Sequence, residues 1–329
     1  MLLYIVKQGM SIMKSTNKIT LSTLDQTPRM KTFRANLLLL LTAIIWGSAF
    51  VAQDNAGEIL GAFSINFSRY LIGGIALIPL FLVMDHHDPE KDSAKKKSTY
   101  RNSVIGGIFC GFALFAASCL QQFGINAGAD PGKAGFITVM YIVIVPLFGL
   151  FFKKKVGLFC WIAVAIAPFG LYFLCMNGFV MPEFSDIILL LCAVVFSIHI
   201  LVIDHFSPKA NGVLMSCIQF FTVSVISLIC TLIFEPFAFT SIPKALKDLV
   251  YLGVMSSGVA YTLQIIAQKN TSPTVASLIM SLESVFAMVF GALVVREMPE
   301  GRKIFGAAII FTAVVLAQLP QPKLNRNKE

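Results

Sequence analysis

Charge is what this chain has least of. Acidic and basic side chains make up 13% of its 329 residues, about half the roughly 25% usual in soluble domains. Apolar residues reach 57%. The apolar runs between residues 36 and 319 follow each other so closely that no water-soluble core fits between them, and the whole chain reads as one membrane unit. Histidine is scarce, with four in the chain, and His199 stands alone with no second ligand at metal spacing; no metal site is expected. All seven cysteines fall inside apolar runs and none forms CxxC, which excludes a disulfide framework or a zinc site and leaves them as packing residues. There is no Walker loop, nucleotide fingerprint or HExxH motif, which excludes a pump with its own ATPase and a zincin-like protease. No cofactor is expected. The net charge of +9 comes from short segments between apolar runs rather than from one basic arm or face, so nucleic acid is not an expected partner. The apolar run 2–6 is too short for a signal-peptide core, and no cleaved signal is expected. Met13 and Met30 are both candidate starts.

What the chain does have is ten runs able to cross about 30 Å of hydrocarbon. They cover residues 36–53, 63–84, 103–124, 131–152, 156–176, 184–203, 212–234, 246–268, 273–295 and 301–319. Short connections and the need to satisfy every backbone group in lipid predict an all-α polytopic membrane protein of antiparallel helices. Residues 1–35 and 320–329 are expected to be tails, the first polar, basic and disordered. With both termini cytoplasmic, the inner segments hold nineteen Lys and Arg and the outer ones six, with Arg69 alone inside a span. The positive-inside rule favours this orientation in a plasma (inner) membrane.

The first helix aligns on the sixth at a spacing of 150, pairing Leu41 with Leu191, Ala43 with Ala193, Trp46 with Phe196 and, one helix on, Arg69 with Gln219. A spacing of 142 pairs Gln122 with Gln264, Pro131 with Pro273, Ala134 with Ala276 and Gly149 with Gly291. Residues 36–176 and 184–319 therefore read as two five-helix repeats. Five crossings is an odd number, so the second copy must insert upside down, an architecture of secondary transporters with a site at the midplane between the halves. Asp130-Pro131 and Ser272-Pro273 each offer an N-cap followed by proline at the first helical position. Gly73, Gly74, Gly106, Gly107, Gly111 and Gly291 predict close helix approaches.

These features resemble the ten-helix EamA-type members of the drug/metabolite transporter superfamily. The resemblance spans residues 36–319 and rests on LLLLLTAIIWGSAFV in the first helix, AGFITVMYIVIVPLFGLFF in the fourth, and ASLIMSLESVFAMVFGALVVRE, ending at Glu297, in the ninth. Two departures stand out: Lys153, Lys154 and Lys155 replace the acidic residue that commonly closes the fourth helix, and Ser284 follows Glu283 where proline is frequent. The resemblance implies two bundles around a central cavity, alternating access without nucleotide hydrolysis, and a small-molecule substrate such as an amino acid or related organic solute, often exported.

Glu283, in the middle of the ninth helix, is the leading binding residue, because an ionised carboxylate there must face the bundle interior and find a partner or a proton. Its mate at spacing 142 is Tyr141, so the pseudo-twofold axis should bring both to one cavity. Arg69 is either a snorkelling or structurally paired residue, with Asp54 and Glu58 as available partners, or a counter-charge for a carboxylate or phosphate. Gln122, Tyr261 and Gln264 are candidate substrate ligands, with Gln121 and Gln268 beside them, and Trp46 is a candidate cavity wall. His199 reads as structural. The expected function is secondary transport with proton coupling through Glu283. The rivals are an intramembrane acyl or glycosyl transferase, for which only His86 and His87 beside Asp85 and Asp88 offer a cluster, and a passive channel, for which no ring of like charges exists.

Overall fold

In hydrocarbon the backbone has no water to bond, and helices satisfy it internally. The computed structural model describes residues 27–87, 92–127, 131–154, 156–176, 178, 183–235, 238–295 and 298–319, and among these there is no strand. Ten rods follow in chain order: α1 (Pro28–Gly57), α2 (Ala62–His86), α3 (Ser93–Asn126), α4 (Pro131–Val139 and Tyr141–Phe151), α5 (Leu158–Cys175), α6 (Phe184–Phe206), α7 (Gly212–Phe234), α8 (Leu246–Tyr251, Leu252–Tyr261 and Thr262–Gln268), α9 (Pro273–Met280 and Leu282–Val295) and α10 (Gly301–Ala317). Nine of these regions are long and apolar enough to cross a membrane. The tenth, α10, has 17 residues, about 25 Å at 1.5 Å per residue.

The distribution of side chains is the reverse of a water-soluble bundle. Phe109, Phe112, Phe169, Phe184, Leu232 and Phe234 stand exposed on the outside, while Gln53, Arg69, Gln219, Gln264 and Glu283 are buried. Only a lipid surround makes that arrangement favourable, so this is a multi-pass membrane protein. Of the cysteines, Cys110, Cys119, Cys160, Cys192 and Cys217 are buried, as packing residues would be.

Helix–helix packing maps onto itself when each helix of the first half is exchanged for its mate in the second. α5 lies on α10, α2 on α7 and α4 on α9; α3 lies on α6 and α7 while α8 lies on α1 and α2; α4 lies on α6 while α9 lies on α1. The molecule is thus two inverted five-helix repeats related by a pseudo-twofold axis. Close approaches hold the pairs together. On α5 and α10, a Cβ on Gly306 would stand 2.5 Å from the Leu174 nitrogen and 2.6 Å from the Gly170 oxygen. Gly73 likewise meets the Gly253 carbonyl across α2 and α8, and Gly106, Gly107 and Gly111 meet α6 and α7.

Several expectations are corrected. Gly291 makes no close approach, since a Cβ there would meet nothing within 4 Å. Residues 28–35 belong to α1 rather than to a disordered tail, because Thr27 caps the Met30 nitrogen at 3.3 Å and Pro28 starts the helix. Thr32 then donates to the Asn270 carbonyl at 3.1 Å and Asn36 to Gln318 at 2.9 Å, which ties this extension to α10 and to the turn before α9. α3 begins ten residues before its apolar run, with Asp92 capping Ala94 and Lys95. A polar segment can lengthen a helix without showing any apolar period. Asp85 accepts from Tyr100 and pairs with Lys96 at 2.9 Å, so it staples α2 to this extension rather than forming an active-site cluster. Ser272 caps Val275 before Pro273. Asp88, Asp130, Lys155 and Glu297 lie outside the described residues, as do residues 1–26 and 320–329.

At the end of the bundle opposite the termini, the Glu235 carboxylate, just past α7, accepts from the Phe63 nitrogen at 3.1 Å, the Ser64 nitrogen at 2.9 Å and the Ser64 hydroxyl. It supplies the N-cap that Gly61 lacks. Glu235→Ala should lower the unfolding free energy by about 1 to 2 kcal/mol, the usual worth of a cap, read from a denaturant titration against wild type; no shift would contradict this role.

Candidate functional site

Both α4 and α9 are interrupted at mid-length. At Met140 and at Ser281 the four-residue ladder gives way to three-residue bonds, Met140 N to Ile137 O at 3.1 Å, Val143 N to Met140 O at 3.0 Å and Ser284 N to Ser281 O at 3.2 Å. Pro146 removes a further donor from α4, and Ser281 Oγ takes the Leu278 carbonyl at 2.7 Å in α9. Tyr141 and Glu283 follow these interruptions by one and two residues, and both line the same cavity. The Tyr141 hydroxyl donates to Glu283 Oε1 at 3.3 Å, across a sequence separation of 142, so repeat mates meet directly.

Around that contact lies a cavity enclosing about 570 Å³ of space free of protein atoms, its open mouth included. Its wall obeys the repeat. Trp46, Ala49 and Phe50 of α1 face Phe196, His199 and Ile200 of α6, each 150 residues apart, and Thr138 and Tyr141 face Met280 and Glu283, each 142 apart. Six lining residues, Gln53, Arg69, Gln121, Ser256, Tyr261 and Gln264, have no mate in the wall. Arg69 lines the cavity while its mate Gln219 turns to His199 Nε2 at 3.2 Å. Gln264 lines it while its mate Gln122 turns away to Asn126 at 2.8 Å.

α8 contributes through an irregular segment. Residues Leu252–Tyr261 are wound as a π-helix, the wider turn that occurs at functional sites. Its carbonyls take extra donors from α1: Trp46 Nε1 reaches the Ser256 carbonyl at 3.1 Å and Thr42 the Ala260 carbonyl at 3.2 Å. Tyr261, turned inward by this segment, stacks at a tilt on Trp46 with ring centroids 4.8 Å apart.

Arg69 is 5% exposed and does not snorkel. Its Nε donates to Ser257 Oγ at 3.3 Å and its Nη1 to Gln53 Oε1 at 3.4 Å, and the guanidinium lies over the Tyr70 ring at 4.8 Å. Asp54 and Glu58 are exposed at the bundle end and are not its partners. Gln53 passes the chain on to Gln121 at 3.3 Å. Gln268 donates to the Ile200 carbonyl at 3.1 Å and serves helix–helix bonding.

Six of the seven residues singled out from the sequence, Glu283, Tyr141, Trp46, Tyr261, Gln264 and Arg69, therefore share one cavity, and Gln122 does not line it. Gln121 takes its place. Gln53, Phe50, Thr138, Phe196, Ser256 and His199 join the lining. The repeat spacing carried the signal for one of them, since Phe196 is the mate of Trp46. No group of acidic, cysteine and histidine side chains fit to hold a metal occurs among the described residues.

Two inverted helical repeats with a polar cavity on their axis define the architecture of a membrane carrier. The chain belongs to the EamA-like transporter family, which matches twice, over residues 33–176 and 183–319. It is 29% identical over 301 residues to a protein of Archaeoglobus fulgidus described as an uncharacterized transporter, covering 88% of this chain and 87% of that one. A Clostridium kluyveri protein of the same description is 23% identical over 309 residues, covering 89% and 96%. A solved crystal structure shares the fold at a TM-score of 0.71 and 16% identity, over 86% of this chain and 96% of the other.

Proposed function

We propose that this protein is a secondary transporter of the plasma (inner) membrane, both termini cytoplasmic, that exports a small organic solute by alternating access and couples the movement to protonation of Glu283. The observation that carries the reading is the bond between Tyr141 and Glu283. A single carboxyl on a pseudo-twofold axis is equally available to either face when the two halves exchange conformations, which is what a carrier needs of its coupling group. Trp46, Tyr261, Gln264 and Arg69, lining the same cavity, are the substrate contacts. The residues 36–176 and 184–319 act as the two moving units. Because Asp85 is already bonded to Tyr100 and Lys96, the loop cluster offers little to a transferase.

Counterflow in proteoliposomes tests this. Vesicles loaded with a cell metabolite extract and diluted into a trace of the same extract carrying label should accumulate label transiently. Leak without overshoot indicates a pore, and a labelled lipid product without exchange indicates an enzyme; either result defeats the carrier reading.

A further inference from the structure

On the outside of the bundle, where α3 packs on α6, two aromatic rings from different helices stack in the open. Phe109 of α3 and Phe206, the last residue of α6, lie with ring centroids 6.1 Å apart and planes 14° from parallel, and Phe109 is 56% exposed. Ile105 and Phe112, about one turn to either side of Phe109, are exposed as well. An apolar lane of this kind beside a second helix is a surface for a hydrocarbon chain.

Toward the end of the bundle that carries the termini, the lane stops and cations begin. Arg101 stands four residues before Ile105 and Lys97 four before that, so at 3.6 residues per turn they continue the same exposed face. Lys209 comes from the other side of the groove, where Asn102 donates to its carbonyl at 3.4 Å and fixes the turn after α6 against α3. All three cations are exposed, and none is in an ion pair among the described residues. The described carboxylates nearest in the chain are engaged elsewhere: Asp92 caps Ala94 and Lys95, Asp85 pairs with Lys96, and Asp204 with Lys154 at 2.6 Å. The complement of this surface is one molecule with an anionic head and a long apolar tail.

We propose that the groove between α3 and α6 binds an anionic glycerophospholipid, its acyl chain along Phe109 and Phe206, its phosphate between Arg101 and Lys209, and Lys97 one turn further out. Guanidinium takes two phosphate oxygens through paired, charge-assisted donors. Basic pockets between helices at the membrane surface select acidic headgroups. A zwitterionic lipid offers the same chain and phosphate but carries an ammonium of its own, which the three cations repel. A soluble phosphate offers the charge but nothing for the aromatic pair. None of these residues lines the central cavity, so the site is independent of what the cavity carries.

The test uses purified full-length protein in a neutral detergent, with dioleoylphosphatidylglycerol, dioleoylphosphatidylcholine and inorganic phosphate as probes. Retained lipid is read by native mass spectrometry and stabilisation by melting temperature. Phosphatidylglycerol should bind about tenfold or more tighter than phosphatidylcholine and raise the melting temperature, and inorganic phosphate should neither raise it nor compete. Arg101→Gln combined with Lys209→Gln should weaken phosphatidylglycerol binding about thirtyfold, two cations at about 1 kcal/mol each, and so remove the preference. Arg101→Lys combined with Lys209→Arg keeps both charges and should retain most of it. Phe109→Ala should weaken both lipids alike. Lys244→Gln combined with Lys247→Gln takes the same charge from exposed positions at the opposite end and should leave the preference intact. Equal affinity for the two lipids, an equal loss in the Lys244 and Lys247 variant, or competition by inorganic phosphate as effective as that of the lipid would overturn the assignment.

Discussion

Gly47→Leu should yield a protein that neither exchanges solute nor keeps its wild-type melting temperature. A Cβ at this position of α1 would lie 2.5 Å from Phe286 Cβ, 2.7 Å from the Glu283 carbonyl oxygen and 2.8 Å from the Ala287 nitrogen. Two of these are backbone atoms of α9, which cannot swing aside as a side chain does, so α1 and α9 must separate. Overpacking of this kind costs about 1 to 3 kcal/mol even for small additions, and Gly47→Ala should already show it. Since the displaced segment carries Glu283 itself, the carboxyl must also move relative to the Tyr141 hydroxyl. Gly291→Ala is the internal control: it lies on α9 too, faces open space, and should leave stability unchanged or slightly raised. Equal behaviour of the two alanine variants would contradict the packing described for α1 and α9.

Glu283→Gln should retain the fold, because glutamine keeps the shape and still accepts from Tyr141, and should lose both most of the transport and its dependence on pH. Only the carboxyl can take up and release a proton; the amide cannot. Transport that kept its wild-type rate and pH profile would sink the coupling role. Tyr141→Phe removes the one donor to that carboxyl among the described residues and should cost about 1.5 to 3 kcal/mol of whatever state holds it charged. The two changes should be non-additive, as for residues in direct contact. Initial rates of counterflow across pH 5.5 to 8.5, taken for both single variants and the double, supply all four corners of that cycle.

Much of the fold was legible because lipid imposes a simple rule: runs of apolar residues of spanning length are helices, and an odd number of them per repeat inverts the second copy. The same repeat arithmetic sets Tyr141 and Glu283 opposite each other, 142 residues apart. What escaped was whatever does not alter the average hydropathy. The α3 extension over residues 93–102 is polar, and only the Asp92 cap marks it. The π-helical stretch of α8 has an ordinary apolar sequence apart from Gly253, Ser256, Ser257 and Gly258. Gln122 was singled out over Gln121 by its repeat mate Gln264, but neighbours on a helix point about 100° apart, α3 has protein on more than one side, and it is Gln121 that lines the cavity. Gln53 and Phe50 sit near the end of an apolar run, where an amide reads as a boundary rather than as part of a wall. For Arg69 the sequence left snorkelling, a structural pair and a counter-charge open, because its neutral partners are brought in from α1 and α8 and no spacing in the sequence links them.

The most direct measurement is the accessibility of the cysteine in Thr138→Cys, on the cavity wall one turn before Tyr141, in a chain from which the seven native cysteines have been removed and Glu283 is kept. A small, charged, membrane-impermeant thiol reagent is applied to the outer face of right-side-out vesicles and, separately, to the exposed inner face of inverted ones. Modification from both sides, each at a rate that a transported solute alters, is the expected result for a midpoint open to one face at a time. A cysteine that reacts from neither side, or from one side only under every condition, contradicts alternating access at the cavity that holds Glu283.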